Sequence, residues 1–106
     1  MKLTERVDRT CRLAHLARAT RTQYLRWVEQ FLRFHRQPDG AWRAPDELRG
    51  ADVAAFLTYL AVERRLAASS QNQALCAIIF LYERVLRDEL PPRHLGEIRA
   101  LRSDGG

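Results

Sequence analysis

No stretch of about 18 consecutive apolar residues occurs in the 106-residue chain, so no segment reads as a membrane-spanning helix. The opening "MKLTERVDRT" lacks the apolar core of a secretory signal, which predicts a cytoplasmic protein. Cysteine is scarce. Cys11 and Cys76 lie in helical patterns without CxxC or Cys/His ligand spacing, so they read as reduced packing residues rather than a disulfide or a structural metal site. Strand-type alternation, internal repeats and low-complexity segments are also missing. At this length the chain has room for one domain and one core, and little room for a deep catalytic cleft.

Arginine is plentiful. The net charge of +5 is unevenly distributed along the chain. Residues 1–37 carry nine Lys and Arg against Glu5, Asp8 and Glu29, whereas the remaining two thirds nearly balance. A localised arginine surplus is the electrostatic footprint of a polyanion partner, most often nucleic acid, although a solvated basic helix face gives the same count.

Helical periodicity dominates the rest of the sequence. Leu3, Val7, Cys11 and Ala14 share a face of a first helix, Leu3 to about Leu16. A second, Thr20 to Arg36, aligns Tyr24, Trp27, Val28, Phe31, Phe34 and His35, with Arg21, Arg26, Glu29, Gln30 and Arg33 outside that face. "QPDGAWRAPDELRG" holds two prolines, Pro38 and Pro45, and two glycines, Gly40 and Gly50, and reads as a loop. A third helix from Ala51 to about Arg65 turns Val53, Phe56, Leu57, Leu60 and Ala61 inward, with Asp52 near its positive start. The fourth begins at Ser69 or Ser70 and is apolar on all sides from Ala74 to Leu81, as expected of a central buried helix. Pro91-Pro92 are expected to end it, before a weak periodic tail (Leu95, Ile98, Leu101) and a flexible "SDGG" end. The expectation is an all-α, compact bundle of four main helices.

Three consecutive amides, Gln71, Asn72 and Gln73, stand at the start of that apolar fourth helix. Ser70-x-x-Gln73 has capping-box spacing, so Ser70 and Gln73 could satisfy free backbone N–H groups. Side-chain amides can instead donate and accept together on a base edge, while the helix's N–H groups meet phosphate. The start of the second helix is polar too, with Arg18, Thr20, Arg21, Thr22 and Gln23. Arg64 and Arg65, before the fourth helix, could join the same surface, or could merely favour a helix C-terminus.

"RTQYLRWVEQFLRFH" followed by "ADVAAFLTYLAVERRLAASSQNQALCAIIFLYERVL" resembles the N-terminal core-binding domain of tyrosine recombinases, and most of all that of integron integrases. The resemblance covers about Leu13 to Leu90. It implies a SAM-like bundle of the phage-integrase type that packs on one side of DNA, with a separate C-terminal catalytic domain closing from the other. Thr20 and Tyr24 match the family's second helix, Trp27, Phe31, Phe34 and His35 its aromatic core, and Ser69, Ser70, Gln71, Asn72 and Gln73 the polar start of its fourth. Ala17 departs from the family's usual serine, which removes a side-chain cap.

The polar and basic helix starts together with the resemblance give an expected DNA-binding set of Arg18, Thr20, Arg21, Thr22, Gln23, Tyr24, Arg64, Arg65, Ser69, Ser70, Gln71, Asn72 and Gln73, with no catalytic residue, metal or cofactor expected in this piece. The family's nucleophilic tyrosine and its basic partners belong to the catalytic domain, so Tyr24, Tyr59 and Tyr82 read as packing or surface residues. His15-Leu16-Ala17-Arg18 spells HxxR in the wrong domain and reads as coincidence. Cys11 and His15, one turn apart, form at most a weak metal pair; His35 reads as a core histidine and His94 as a surface one. Residues 1–90 are expected to form the DNA-binding domain and 91–106 the start of a linker. The partners implied are recombination-site DNA, duplex or folded single strand, and other recombinase protomers. A stand-alone DNA-binding regulator and a helical protein-interaction module are the other readings of the same residues.

Overall fold

A computed structural model describes residues 2–103. Among them are five α-helices and no strand: α1 (Leu3–Leu13), α2 (Arg18–Phe34), α3 (Gly50–Val62), α4 (Ala68–Phe80) and α5 (Pro92–Ser103). The all-α bundle is as expected, with one helix more than the periodicity suggested. A π-helical turn, Leu81–Val85, prolongs α4, and short 3-10 turns occupy Pro45–Glu47 and Arg87–Glu89.

Helix α4 is the axis of the core. Ala74, Ala77, Ile78 and Ile79 are buried, and α2, α3 and α5 pack around them. Helix α1 lies on α2 and on the π turn, burying Val7 and Cys11. From α2 come Trp27, Val28 and Phe31, from α3 Val53, Phe56 and Leu60. Phe31 meets Phe56 and Tyr82 edge-on, at 5.6 and 6.5 Å between ring centroids. Edge-to-face rings align the positive rim of one with the negative face of the next, adding to what burial alone contributes. Phe34, expected in the core, sits at the C-terminal end of α2 and is partly exposed, stacked obliquely on Tyr59 at 4.9 Å.

Helix ends depart from the expected bounds for identifiable reasons. Helix α1 stops at Leu13 because His15 adopts a left-handed conformation (φ 58°), with His15 N–H on the Arg12 carbonyl and Leu16 N–H on the Cys11 carbonyl. That pair of bonds is a Schellman closure, in which the left-handed position usually belongs to glycine. Helix α3 ends at Val62, three residues early, through a similar turn in which Arg65 has φ 52°. Asp52 behaves as expected, its carboxylate accepting the Arg49 N–H at 2.8 Å at the start of α3.

The tail after Pro91-Pro92 is a helix in its own right. Proline disrupts a helix interior but suits its first position, where the missing N–H would have had no partner. Pro92 therefore opens α5, and the Pro91 carbonyl accepts the His94 and Leu95 N–H groups. Leu95 and Ile98 are buried against the bundle. The approach to α3 is close: a Cβ on Gly50 would stand 3.2 Å from the Glu97 Cβ. The "SDGG" end extends into residues 104–106, outside the described residues.

His94 corrects the sequence reading: it is buried, not a surface residue. Its Nε2 lies against the Leu48 carbonyl, which can only accept, so Nε2 carries the proton. Tyr82, fully buried in the π turn, donates its hydroxyl to the Pro45 carbonyl at 2.7 Å and reaches the Leu48 carbonyl at 3.3 Å. Leu48 thus enters the core with its backbone satisfied by side chains from two distant elements. Such buried carbonyls are costly to leave unmet.

Tyr82→Phe is expected to lower stability by about 1–2 kcal/mol in urea denaturation, since it removes the hydroxyl that faces the half-buried Pro45 carbonyl and the buried Leu48 carbonyl. The Arg49–Glu97 ion pair (2.7 Å) joins the α3 start to α5, and the hydrogen bond from Arg49 holds the Glu97 carboxyl below its ordinary 4.5. A lowered folded-state value stabilises the fold above the ordinary value, and that contribution fades as pH falls through the folded one. Glu97→Gln should therefore be less stable than the parent at neutral pH, with the gap closing as denaturation is repeated at acid pH.

Candidate functional site

Local structure around the polar helix starts was the least legible part of the sequence. Helix α4 begins at Ala68, with Ala67 in the N-cap position and no side-chain cap. The capping-box expectation for Ser70 and Gln73 is overturned. Ser70 already lies inside the first turn, and its N–H and that of Gln71 bond to the Ala67 carbonyl. Gln71 folds back, donating Nε2–H to the Leu66 carbonyl at 2.9 Å. Of the three amides, Gln71 closes the preceding turn, and Asn72 and Gln73 face outward, exposed.

Helix α2 starts in the same way. Ala17 holds the N-cap position, again without a side-chain cap, and α2 begins at Arg18, two residues before the expected Thr20. Neither α2 nor α4 has an acidic residue in its first turn. Uncapped starts leave backbone N–H groups unmet, and the helix dipole places partial positive charge there. Arg18 adds cationic charge to the end of α2 that the dipole already makes positive, which does nothing for helix stability. Such an end is suited to an anion.

The two helices converge on one surface. Ala19, Thr20, Gln23 and Tyr24 of α2 face Asn72, Gln73 and Cys76 of α4 across a groove of about 300 Å³. A second groove of about 240 Å³ continues it, sharing Gln23 and Gln73 and adding Arg26, Gln30, Arg64 and Ser70. Thr20 therefore lies near Cys76 and Gln30 near Ser70, so the helices run in opposite directions along the grooves. Arg64 hydrogen-bonds Gln30 and ties the α3–α4 connection to α2. Tyr24 packs on Phe80, ring centroids 5.2 Å apart.

Of the residues singled out from the sequence, the grooves bring together Thr20, Gln23, Tyr24, Arg64, Ser70, Asn72 and Gln73. Arg18, Thr22, Arg65 and Ser69 are exposed but do not line them, and the Thr22 hydroxyl is engaged by the Arg18 carbonyl. Arg21 points elsewhere: its side chain is only 18% exposed and its Nη1 lies 4.0 Å from Asp8 of α1. Arg26 and Gln30 went unrecognised in the sequence. Successive steps of three and four residues from Gln23 to Arg26 to Gln30 place all three on one stripe of α2, a signal masked by the stronger aromatic stripe.

Charge sharpens the picture. Several arginines are neutralised in pairs: Arg6 with Glu89, Arg12 with Asp8, Arg33 with Glu29, Arg49 with Glu97 and Arg99 with Glu83. Among the described residues, Arg18, Arg26, Arg64 and Arg65 form no ion pair, and elsewhere neither do Arg9, Arg36, Arg84, Arg87 and Arg93, so it is position beside the amides of α2 and α4 that sets the first group apart. Cys11 takes no part in the surface. Burial foremost, then the Asp8 charge, pushes its thiol up, against the pull of Arg21. His15 stands in the turn beyond α1, and the described residues contain no group of three or more His, Cys, Asp and Glu that could hold a metal ion. Tyr59 and Tyr24 are partly buried in aromatic contacts and Tyr82 fully so, as expected of packing residues. No helix is long and apolar enough to cross a membrane, among the described residues.

Comparison with known proteins agrees with this architecture. Residues 3–92 match the family described as phage integrase, N-terminal SAM-like domain. An integrase/recombinase of Escherichia coli and one of Pseudomonas aeruginosa are each 36% identical to the chain over 91 residues, 86% of this chain. The aligned stretch is 26% of each relative, so the chain spans about a quarter of the length of the relatives it matches. A family match across most of a five-helix bundle, supported by relatives at that identity, places the chain in the phage integrase N-terminal SAM-like domain family.

Proposed function

We propose that this chain is the DNA-binding, core-binding domain of a site-specific tyrosine recombinase of the integron type, acting in the cytoplasm. It holds recombination-site DNA and helps assemble protomers on it, while strand cleavage through a phosphotyrosine belongs to a separate catalytic domain. The observation that carries this reading is the surface between α2 and the start of α4, where Arg26 and Arg64, neither in an ion pair among the described residues, stand beside Gln23, Asn72 and Gln73, with Arg18 and Arg65 exposed next to the two uncapped helix starts. Cations of this kind neutralise phosphates, and N–H groups at helix starts extend the same contact. Asn72, Gln73 and Gln23 supply the donors and acceptors for base edges.

Arg65 adds a physical argument of its own. Its backbone is left-handed, a conformation that disfavours side chains bearing a Cβ, and glycine would hold the same turn without strain. Local rules broken at one exposed cation are expected where the cation serves a ligand. Arg65→Gly should accordingly act in opposite directions, raising stability by about 0.5–1 kcal/mol and weakening DNA binding. Thermal denaturation and a DNA titration on the same sample read both.

The direct test titrates labelled duplex and folded hairpin DNA at two salt concentrations. Affinity on the order of 10⁻⁴ to 10⁻⁶ M, falling steeply with salt, is expected of a domain relying mainly on phosphate contacts. Arg26→Ala and Arg64→Ala should each reduce the slope of log affinity against log salt by about one. Gln73→Ala should weaken binding and leave stability unchanged, whereas Gln71→Ala should do the reverse, since Gln71 is engaged by the Leu66 carbonyl. No binding at low salt, with a defined protein partner captured instead, would favour a protein-interaction module.

A further inference from the structure

About a quarter turn around α2 from the candidate DNA surface lies a larger groove, about 710 Å³, between α1, α2 and the α2–α3 loop. Leu3, Leu32 and Pro45 supply its apolar lining, and Trp42 stands at its side. Trp42 is 53% exposed, although the loop that presents it is firmly built. Gly40 N–H bonds to the Gln37 carbonyl, Gln37 N–H to the Ala41 carbonyl, and Ala41 N–H to the Asp39 carboxylate. Gly40 takes the left-handed conformation (φ 89°) that this tight turn requires. Arg36 completes the arrangement. Its Nε–H donates to the Gly40 carbonyl at 2.8 Å, and its guanidinium lies over the indole, 4.8 Å from the ring centroid. The indole is thus held in one orientation, with the loss of side-chain freedom already met before any ligand arrives.

Cations surround it. Lys2, Arg33 and Arg43 line the groove, and Glu29 is the one carboxylate among its described lining residues. Glu29 is engaged by Arg33 at 2.6 Å, and Arg43 has only a distant partner in Asp52, at 3.7 Å. Setting aside Arg33, which Glu29 neutralises, three cations, Lys2, Arg36 and Arg43, stand around one rigid, exposed aromatic. That combination is the recognition chemistry of unpaired nucleotides, a planar ring for the base and fixed positive charge for the phosphates on either side. An apolar-anchored peptide fits less well, because three modest side chains give little to bury.

We propose that this groove binds a short single-stranded segment of nucleic acid, with one base stacked on Trp42 and the flanking phosphates held by Lys2 and Arg43. The proposal rests on the DNA-binding reading above and extends it to a second, chemically different contact. Duplex would be held by arginines and amides at the α2–α4 grooves, and a base freed from its partner by the indole.

The test uses octathymidylate and intrinsic tryptophan fluorescence of the 106-residue chain. Trp27 is 9% exposed but lines the second α2–α4 groove, so quenching is assigned to Trp42 as the part that Trp42→Ala removes. Trp42→Ala is expected to abolish the quenching and weaken octathymidylate binding about tenfold, with Trp42→Phe recovering most of it, and duplex binding unchanged within twofold. An abasic octamer, with phosphates but no bases, should bind the parent about tenfold more weakly than octathymidylate. It should bind Trp42→Ala as well as octathymidylate does. The abasic comparison and Trp42→Phe carry the test if the alanine variant does not fold by circular dichroism. Octathymidylate binding that ignores Trp42, or that is matched by the abasic strand, overturns the proposal. So does a poly-glutamate peptide that quenches Trp42 more strongly, which would make the groove a protein-docking site. Duplex binding without single-strand binding removes this contact and spares the α2–α4 surface, whereas loss of both removes the DNA reading as well.

Discussion

A helix that is apolar on all sides cannot end a bundle; it has to be enclosed by one. From Ala74 onward α4 offers no polar face to water, so α2, α3 and α5 are obliged to cover it, and α1 covers the seam between α2 and the π turn. The same constraint makes its first turn conspicuous. Where α4 emerges from the enclosure its backbone N–H groups reach the surface without a side-chain cap, and the residues there become amides and serines. Burial of the helix and presentation of its start are two consequences of one placement. The surface built on that start inherits its rigidity from the core.

A second fixed point lies at the far side of α3. Leu48 is drawn wholly into the core at the end of a loop, where its carbonyl meets both the Tyr82 hydroxyl and the His94 ring. Both donors come from residues more than 30 positions later in the chain. The π turn is consistent with this arrangement, since an extra residue in the helical repeat rotates the side chains that follow it relative to a continuous α-helix. Loop, π turn and α5 are therefore interlocked, which is why Pro92 begins an integral helix and not a detached tail.

How much of this could be read from residues alone depended on whether the signal was periodic or pairwise. The aromatic stripe of α2 repeats every three and four residues and the apolar run of α4 is continuous over two turns, and both helices lay where those signals placed them. Helix ends did not, because they are decided by single residues in unusual conformations: His15 and Arg65 are left-handed without being glycine, and nothing in their identity announces it. His94 looked like a surface residue because its partner, the Leu48 carbonyl, is 46 positions away. Ser70 and Gln73 had the spacing of a capping box, yet Ala67 took the first backbone bonds and shifted the register by three. Spacing states what a pair could do once a helix begins at a given residue, and the choice of that residue was a tertiary matter.

The charge distribution shows the same division more sharply. Counting along the chain assigns the basic surplus to the first 37 residues, but folding redistributes it. Arg6 of that segment is neutralised by Glu89 from the opposite end, Arg12 and Arg33 by carboxylates one turn away, and Arg21 is drawn under α1 toward Asp8. Exposed pairs of this kind contribute little to stability, about 0–1 kcal/mol each. Their larger effect is on the field outside the protein. Each pair cancels its own charge locally, so the positive potential that survives beyond a Debye length of about 8 Å is set by the arginines that have no such partner. Arg26 comes from the first segment and Arg64 from the second, and only the packing of α2 against the start of α4 makes them neighbours of one surface. A polyanion approaching this molecule would therefore respond to a pattern that exists in the fold and has no counterpart in the linear sequence.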